Sequence, residues 1–226
     1  VSSELEIRVR LYQGIDRIDF HTCFNNQAKD HRLQVEFPSG VLVRKSSASG
    51  PFGITQRDID LVVPEQWLEY PQATHPNHGF VDVGSEEYGL TVATVGLTEF
   101  EAKNIHDQSL VRLTLLRSVG WLSRTDLLTR KGNAGWTIAT PEAQCLGRHE
   151  FEYSIVYHQG NWRQDNTYGQ CDRKIHGFHL RQLRAMQGSP ITTENPLSFL
   201  SQLHSQIRIS AVKPAEDGKG IIIRLF

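Results

Sequence analysis

Histidines are the first side chains to consider for chemistry, because the sequence contains ten of them. Two pairs have i, i+3 spacing: His75 and His78 in "HPNH", and His176 and His179 in "HGFH". This spacing brings two imidazoles to one face only on a helix, and His75 precedes a proline, which favours extended backbone. Structural zinc sites need four converging ligands and catalytic sites about three. We therefore predict no metal site and no cofactor held wholly by this chain.

Paired carboxylates are the second group to consider, because glycosidases use two of them roughly 5 to 9 Å apart. Asp58 with Asp60, and Glu99 with Glu101, have the i, i+2 spacing that puts both side chains on one face of a strand. Many accidental pairs satisfy that distance, and solvated strand faces explain these pairs better. The sequence also has no G-x-S-x-G motif and no glycine-rich phosphate loop. These carboxylate pairs are therefore predicted to be solvated strand faces.

Arginines and an aromatic ring follow a strand pattern in "LTLLRSVGWLSRTDL", residues 113–127. Apolar residues alternate at first, and Arg117, Trp121, Arg124 and Asp126 come next. Guanidinium forks and aromatic faces commonly hold polar rings such as sugars. The stretch is therefore either a strand with a solvated exit or a strand that delivers these groups to a site.

Tryptophans in or beside irregular segments are a further indication of binding loops. They are Trp67, Trp121, Trp136 and Trp162. A single tryptophan is most often buried with its N–H satisfied, so packing in the core is the expectation for each.

Strands are the elements that must position these groups, because apolar residues alternate with polar ones over most of the chain. The predicted strands cover residues 5–11, 18–24 and 33–37, the stretches "HGFVDVGS", "YGLTVATVGL", "LVRLTLLRSV" and "HEFEYSIVYH", and two or three closing strands around "EDGKG". The first three are predicted to form an antiparallel meander, because their connections are short. Residues 44–77 are predicted to be a long excursion rather than a strand pair, and residues 159–190 a second excursion. A helix is predicted only within residues 172–187.

An all-β chain of about eleven strands needs two packed layers to bury its apolar faces. The predicted fold is therefore a large two-layer antiparallel β-sandwich with little helix. We predict a single domain over residues 1–226, with a conceivable sub-boundary near residue 160.

Composition and charge exclude several classes of function. The 226 residues are 38% hydrophobic and 22% charged, with a formal net charge of −1, which gives no basic excess for nucleic acid. No stretch approaches the roughly 20 apolar residues of a membrane span. The three cysteines, Cys23, Cys145 and Cys171, include no C-x-x-C pair, and no N-x-S/T acceptor occurs. Reduced thiols and a cytoplasmic location are expected. Because Met186 is the only methionine, we expect the chain to be a piece of a longer polypeptide.

Several longer motifs resemble bacterial α-mannosidases of glycoside hydrolase family 38. They are "HPNHGFVDVGSEEYGLTVATVGLTEFEA", "VRLTLLRSVGWLSRTDL", "GNAGWTIATPEAQCLGRHEFEYSI" and "GNW", in the order and approximate spacing of that family. The earlier "DRIDFHTCFNNQAKDHRLQVEFPSG" and the terminal "ISAVKPAEDGKGIIIRLF" are similar to it too. The resemblance covers nearly the whole chain and is weakest between about residues 159 and 195. It implies the family's C-terminal region, a mutarotase-like supersandwich.

The resemblance also implies what this chain lacks. Enzymes of the family are retaining: an Asp nucleophile forms a covalent glycosyl-enzyme, and a zinc ion held by His and Asp residues binds sugar hydroxyls. Those residues would lie in an N-terminal catalytic α/β barrel outside this sequence, so the resemblance implies that this chain holds no catalytic residue. The expected partners are that domain of the same chain and a mannose-containing oligosaccharide, with no nucleic acid and no membrane, and an oligomer is compatible with the sequence. The isolated chain is expected to be inactive.

Candidate residues for the substrate cleft follow from the same resemblance. An arginine in the stretch aligned with "LLRSVGWLSRTDL" borders the sugar sites of the family; Arg117 is the best match and Arg124 the second. Asp126 would orient Arg124 or cap the turn. Trp121 and His78 complete the set of cleft candidates. The segments 44–77 and 120–145 are expected to expose apolar surface to the barrel.

Two other functions stay open from the sequence. A carbohydrate-binding module is one, because sandwiches with tryptophans on loops often bind glycans without cleaving them. An aldose mutarotase-like enzyme is the other, and it would require His78 and His149 to converge with carboxylates on one concave face.

Overall fold

The computed structural model describes residues 3–132, 134–164, 167–178, 180, 200–201 and 207–226. By its internal contacts the chain divides into two units, Val1–Gly177 and Phe178–Phe226. The single domain predicted over residues 1–226, with a sub-boundary near residue 160, stays a prediction. Among the described residues no helix has the length and hydropathy of a membrane span.

The first unit is built mainly of strands. Its elements are β1 (Leu5–Leu11), β2 (Ile18–Asn26), β3 (Arg32–Pro38), β4 (Lys45–Ser49), β5 (Ile54–Asp58), β6 (Thr74–Pro76), β7 (Phe80–Gly84), β8 (Tyr88–Val95), β9 (Glu99–Ile105), β10 (Gln108–Arg117), a 3₁₀ turn (Pro141–Gln144), β11 (Gly147–Gln159) and α1 (Thr167–His176). In the second unit, β12 (Ile209–Pro214) and β13 (Ile221–Leu225) form an antiparallel hairpin around the predicted "EDGKG" turn.

Two antiparallel sheets of the first unit face each other across one core. The larger has the order β1-β2-β11-β8-β7-β4-β5, and the smaller has the order β3-β10-β9-β6. Phe24, Val81 and Tyr153 of the larger sheet pack in one buried cluster with Phe100 and Leu113 of the smaller sheet. The prediction of an all-β, two-layer antiparallel sandwich with little helix is confirmed.

The predicted meander of the first three strands is wrong at its second connection. β1 pairs with β2, but β3 pairs with β10 in the other sheet. The chain changes layer after Asn26, whose buried side-chain amide donates hydrogen bonds to the backbone oxygens of Gln144 and Cys145 at 3.0 and 2.9 Å. Alternation alone could not reveal this, because strands of both layers turn one apolar face to the same core.

Residues 44–77 contain a strand pair, which corrects the prediction of an excursion. β4 and β5 form an antiparallel hairpin, and β4 also pairs with β7. The strand signal was missed because the inner residues of β4 are small and polar. Ser49 is buried, and its Oγ accepts a hydrogen bond from the backbone N–H of Phe80 at 2.8 Å. The longest irregular stretch of this segment is residues 59–73, between β5 and β6, and within it Glu69 forms an isolated bridge.

The apolar face of β1 is not covered within the described structure. Leu5 and Val9 are directly opposite Phe24 and Phe20, so they face the same side as the core residues of β2. All seven residues of β1 are nevertheless exposed. The smaller sheet has four strands against seven, and β1 is the edge strand of the larger one, which explains why its apolar face lies open.

The helix α1 covers part of the outer face of the larger sheet. It begins before the predicted start at residue 172, and most of the predicted remainder lies outside the described residues. Cys171 of α1 packs against Phe80, and burial raises the pKa of its thiol to about 12. Asp19 lies on the same outer face. Its burial alone would raise the pKa of its carboxyl, but hydrogen bonds from Arg17 and Ser154 and nearby positive charges outweigh burial and lower it.

Candidate functional site

A β-bulge turns Arg117 to the outer face of the smaller sheet. By strict alternation, Arg117 would face the core with Leu113 and Leu115. The pairing of β10 with β3 shifts between Thr114 and Leu116, so two residues of β10 oppose one residue of β3. Leu115 and Leu116 are both buried, and Arg117 lies opposite Arg32 with its side chain 64% exposed.

An alternating row of charges extends from Arg117 across the outer face of this sheet. Arg117 Nη1 lies 3.5 Å from Glu99. Arg32 lies 3.9 Å from Glu99 and 3.8 Å from Glu101, and Arg112 lies 3.6 Å from Glu101. The two glutamates predicted to be neighbours therefore share Arg32. Both acids serve as structural counter-ions of arginines, which agrees with the interpretation of this pair as a strand face.

The loop after Arg117 is fixed by a buried amide, that of Gln144. Its Oε1 accepts hydrogen bonds from the Asp30 N–H at 2.9 Å and from the Ser118 hydroxyl at 2.7 Å, and its Nε2 donates to the Asp30 carboxylate at 2.9 Å. Gly120 leaves room for this amide, because a Cβ there would lie 2.7 Å from Gln144 Nε2. The loop after β10 is thus tied to the turn before β3.

The loop and the start of β3 enclose a pocket of about 610 Å³. Four arginines line it: Arg32, Arg117, Arg124 and Arg130. Asp30 and Glu69 are the acids in its lining, and His31 and Trp121 contribute rings. The pocket therefore gathers cationic forks and aromatic edges, the chemistry suited to an oxygen-rich ligand.

Two groups of this pocket hold buried nitrogens without hydrogen-bond partners among the described residues. They are both ring nitrogens of His31, and Nε and Nη2 of Arg130. The Arg130 side chain is 17% exposed, and its ion pair is with Glu69 at 3.8 Å, which is beyond hydrogen-bond length. Unsatisfied buried polar groups are uncommon in folded proteins, and each requires an explanation.

The cleft candidates near Arg117 are brought together by the structure. Trp121 is 44% exposed, lines the pocket and pairs through its backbone with Ala139. Arg124 donates two hydrogen bonds to Asp126, at 2.8 and 2.5 Å. This hydrogen bonding raises the pKa of the Arg124 guanidinium and lowers that of the Asp126 carboxyl. Asp126 thus holds Arg124 in one orientation at the exposed side of the loop.

His78 is not in the lining of this pocket. It is exposed in the turn between β6 and β7, where its N–H donates to the carbonyl of Ser49 at 2.9 Å. His149, the other histidine of the mutarotase alternative, lies in β11 with Nε2 2.7 Å from the carbonyl oxygen of Cys145. Among the described residues, no hydrogen bond or ion pair joins the two histidines.

The expectation of core packing is wrong for three of the four tryptophans. Trp67, Trp121 and Trp136 are all exposed, at 55%, 44% and 79%. Trp162 alone packs in a buried cluster, with its ring centroid 5.6 Å from that of Phe80. The three exposed rings lie in the segments without regular strands, where few neighbouring side chains are available to cover them.

A possible metal-binding cluster lies on the outer face of the larger sheet. Ligand atoms of His21, Cys23 and Glu150 lie within 4.8 Å of one another. Arg148 Nη2 lies 3.0 Å from Glu150 and 3.7 Å from Cys23 Sγ, so a guanidinium already supplies the positive charge there. The cluster also contains no Asp and one His. It therefore does not fit the His and Asp ligands that the resemblance implies for zinc.

Sequence reasoning did not find His31, Arg32 and Arg130 as pocket residues. Arg32 directly precedes the strand predicted over residues 33–37, and the meander gives that strand the wrong partner. Arg130 reaches the pocket through an isolated bridge with Glu69 between two irregular segments. No spacing rule predicts such a contact, so the sequence carried no signal for it.

Residues 1–124 of this chain match the sequence profile of a family described as the C-terminal domain of glycosyl hydrolases of family 38. The chain is 30% identical over 223 residues to a putative mannosylglycerate hydrolase of Halalkalibacterium halodurans, covering 98% of this chain and 22% of that protein. It is 24% identical over 229 residues to "Alpha-mannosidase 2C1" of Homo sapiens, covering 100% of this chain and 19% of that protein.

Solved structures are similar over nearly the whole chain. An α-mannosidase from Enterococcus faecalis V583 superposes with a TM-score of 0.80 at 28% identity, covering 98% of this chain and 23% of that one. A family 38 glycosyl hydrolase from Enterococcus faecalis gives a TM-score of 0.78 at 26% identity, covering 98% and 24%. The chain thus spans less than a quarter of the length of each of these four proteins.

Proposed function

The chain belongs to the family of C-terminal domains of family 38 glycosyl hydrolases. We propose that it is the C-terminal domain of a retaining, zinc-dependent α-mannosidase. The observation that carries the proposal is Arg117, which a β-bulge directs to the wall of a pocket that also contains Trp121. In this proposal Arg117 borders the substrate cleft. Its planar fork donates hydrogen bonds to sugar oxygens or to a carboxylate of the catalytic domain.

The hydrolytic step belongs, in this proposal, to a catalytic domain of the same polypeptide, called here the parent polypeptide. The relatives are at least four times longer than this chain, which leaves room for such a domain. The Asp nucleophile and the zinc ion would be held there. Their absence from this chain makes the isolated chain inactive. A cytoplasmic location and an oligomeric state stay predictions.

Exposed apolar residues support a docking surface for that domain. In the segment 61–70, Val62 and Leu68 are 84% and 92% exposed, and in the segment 121–138 Leu128 is 99% exposed. The Tyr70 N–H donates to the Thr129 carbonyl at 2.8 Å, so the two segments lie side by side. Large apolar side chains exposed on joined segments are typical of a protein interface.

The test uses the parent polypeptide and the substitution Arg117→Ala. Loss of one charged hydrogen-bonding group should lower kcat/KM on an α-mannoside by roughly ten- to 100-fold, while Tm changes little because the side chain is mostly exposed. Arg148→Ala is the matched control, because Arg148 is equally exposed but lies on the other sheet. Unchanged kinetics in Arg117→Ala would refute the role of Arg117. Zinc-dependent mannose release by the isolated chain would refute the proposal that hydrolysis takes place in a separate catalytic domain.

A carbohydrate-binding module is the second candidate, and the exposed tryptophans favour it. Trp121 lines the pocket, and Trp67 and Trp136 are more exposed still. Titration of the isolated chain with mannose oligosaccharides, followed by tryptophan fluorescence, separates the two. Saturable quenching, together with no α-mannosidase activity of the parent polypeptide, supports the carbohydrate-binding module. No change in fluorescence, together with α-mannosidase activity of the parent polypeptide, supports a domain that assists the catalytic domain.

A further inference from the structure

The backbone of β1 is open along one edge. β1 stands at the end of the larger sheet, so within the described structure it has a hydrogen-bonded neighbour, β2, on one side only. The Glu4 carbonyl accepts a hydrogen bond from the Asn25 N–H at 3.0 Å, and the register of β1 with β2 has no shift. Backbone groups alternate in direction along an antiparallel strand, so the even-numbered residues of β1 direct theirs to β2. The residues that direct their N–H and C=O to the open edge are Leu5, Ile7, Val9 and Leu11.

This edge lacks most of the features that prevent strand pairing. Natural edges are blocked by proline, a bulge, a covering element or charged side chains, lysine above all. β1 reads LEIRVRL, without proline or lysine, and it pairs with β2 without a bulge. Its four apolar side chains share the inner face and are between 49% and 74% exposed. Its charged side chains are of both signs, so whether they repel a further strand depends on the charges of that strand.

The charges of β1 are ordered along the strand. Residues 4–10 read ELEIRVR, so two acids come first and two arginines last, and by alternation all four side chains share the outer face. If two copies of β1 pair in antiparallel fashion with Ile7 opposite Ile7, each glutamate lies opposite an arginine of the second copy: Glu6 opposite Arg8, and Glu4 opposite Arg10. Within one copy Arg8 already lies 2.7 Å from Glu6. The two copies of this pair would therefore form a closed ring of four alternating charges.

One register is favoured over its neighbours. Because the odd-numbered residues supply the open backbone groups, the copies can slide past each other only in steps of two residues. One step in either direction places Arg8 opposite Arg8 or Glu6 opposite Glu6, and like charges directly opposite are destabilising. With Ile7 opposite Ile7, the apolar residues form the hydrogen-bonded pairs. The Glu–Arg pairs then take the intervening positions, where facing side chains lie closest.

We propose that β1 is an interface between two copies of this chain, which join edge to edge about a two-fold axis at Ile7. The two larger sheets then form one continuous antiparallel sheet. The occupant is a second copy because the order of charges in β1 complements itself. One strand pair is a small interface, so the association is weak and depends on concentration. This interface is independent of the pocket at Arg117 and goes beyond the proposed function.

Disulfide cross-linking of the parent polypeptide tests the surface and its register. Ile7→Cys places two cysteines opposite each other with about 5.5 Å between their Cα atoms, which a disulfide spans. We expect a covalent dimer on a non-reducing gel after mild oxidation, and its loss on reduction. Leu5→Cys is the matched control, because Leu5 is 51% exposed and Ile7 49%, on the same face. The two copies of position 5 would lie roughly 13 Å apart along the strand, so Leu5→Cys should not cross-link, and neither should the wild type.

An exchange of charges tests why the second copy is recognised. In the Ile7→Cys background, Glu6→Arg creates two like-charge pairs across the interface and should lower the initial rate of cross-linking about tenfold. Addition of Arg8→Glu exchanges the two charges, restores opposite pairs and should restore the rate. Tm should change little in these variants, because the side chains of Glu6 and Arg8 are 52% and 57% exposed.

Three results would overturn the proposal. The first is no covalent dimer from Ile7→Cys, which would mean that two copies do not meet at β1 and that its edge is left to another segment of the parent polypeptide. The second is equal cross-linking of Leu5→Cys and Ile7→Cys, which would show contact without the expected register. The third is a rate that Glu6→Arg leaves unchanged, or that Arg8→Glu fails to restore, because the charges would then not select the partner.

Discussion

Gln144→Ala should destabilise the fold and loosen the loop that carries the candidate site. The substitution removes one hydrogen bond from the Asp30 N–H, one from the Ser118 hydroxyl and one to the Asp30 carboxylate. At about 1 kcal/mol for each, plus a small cavity at a buried position, we expect a loss of roughly 2–4 kcal/mol. The Ser118 hydroxyl keeps its bond to the Gln144 backbone oxygen at 2.8 Å, which holds the figure toward the lower end. Urea unfolding of the isolated chain measures it.

Two further variants distinguish loss of the Gln144 hydrogen bonds from a nonspecific loss of stability. Gln108→Ala is the matched control, because Gln108 accepts one exposed hydrogen bond from the Gly40 N–H at 3.2 Å, and its loss should cost no more than about 0.5 kcal/mol. Gln144→Glu keeps the shape but places a second carboxylate against Asp30, so its deficit should shrink in acid, where one of the two binds a proton. Equal costs for Gln144→Ala and Gln108→Ala would refute the reasoning.

Three other substitutions or treatments test the packing around the larger sheet. Gly89→Ala places a Cβ 2.5 Å from a facing backbone atom and should cost about 1–3 kcal/mol in urea unfolding, whereas Gly53→Ala, with no atom within 4 Å, should be nearly neutral. The folded-state pKa of Asp19 is below its ordinary value of 3.8, so the ionised carboxylate stabilises the fold above that pH, and this stabilisation disappears as the pH falls through the folded pKa. The difference in unfolding free energy between wild type and Asp19→Asn should therefore become smaller in acid. A difference that grows in acid would contradict the lowered pKa of Asp19. Cys171, whose pKa is raised to about 12, should resist iodoacetamide at pH 8 in the folded chain, while the partly exposed Cys145 reacts; mass spectrometry of the labelled peptides shows which.

The predictable part of the fold was the part in which apolar residues alternate. β2 and β10 lie where alternation places them, because each has one face in the core and the pattern depends only on burial. The pairing of β3 was not predictable, because alternation says which face is buried and not which strand is the neighbour. β4 was not predictable because three of its four buried residues are serines, whose hydroxyls form hydrogen bonds inside the sheet.

The residues of the candidate site that lie in or beside the loop after β10 were predictable from the sequence. Arg117, Trp121 and Arg124 are close in sequence, so one motif carried all three to the same loop. Arg32 and Arg130 reach the pocket through pairings over long sequence distances, across β3 with β10 and across the bridge to Glu69. Contacts of that kind depend on the whole topology, and the sequence alone did not define it.

The bulge in β10 has a consequence for how this region varies during evolution. Arg117 faces outward because it lies opposite Arg32, whatever number of residues separates it from the preceding apolar run. A relative that lost either Leu115 or Leu116 would therefore have a regular strand and still present its arginine on the same side. The bulge absorbs one inserted residue without changing the face to which the arginine points, and both Leu115 and Leu116 are then buried in the core. Homologous arginines in this family are best matched by the partner strand they oppose, and a gap of one residue before the arginine does not indicate a changed role.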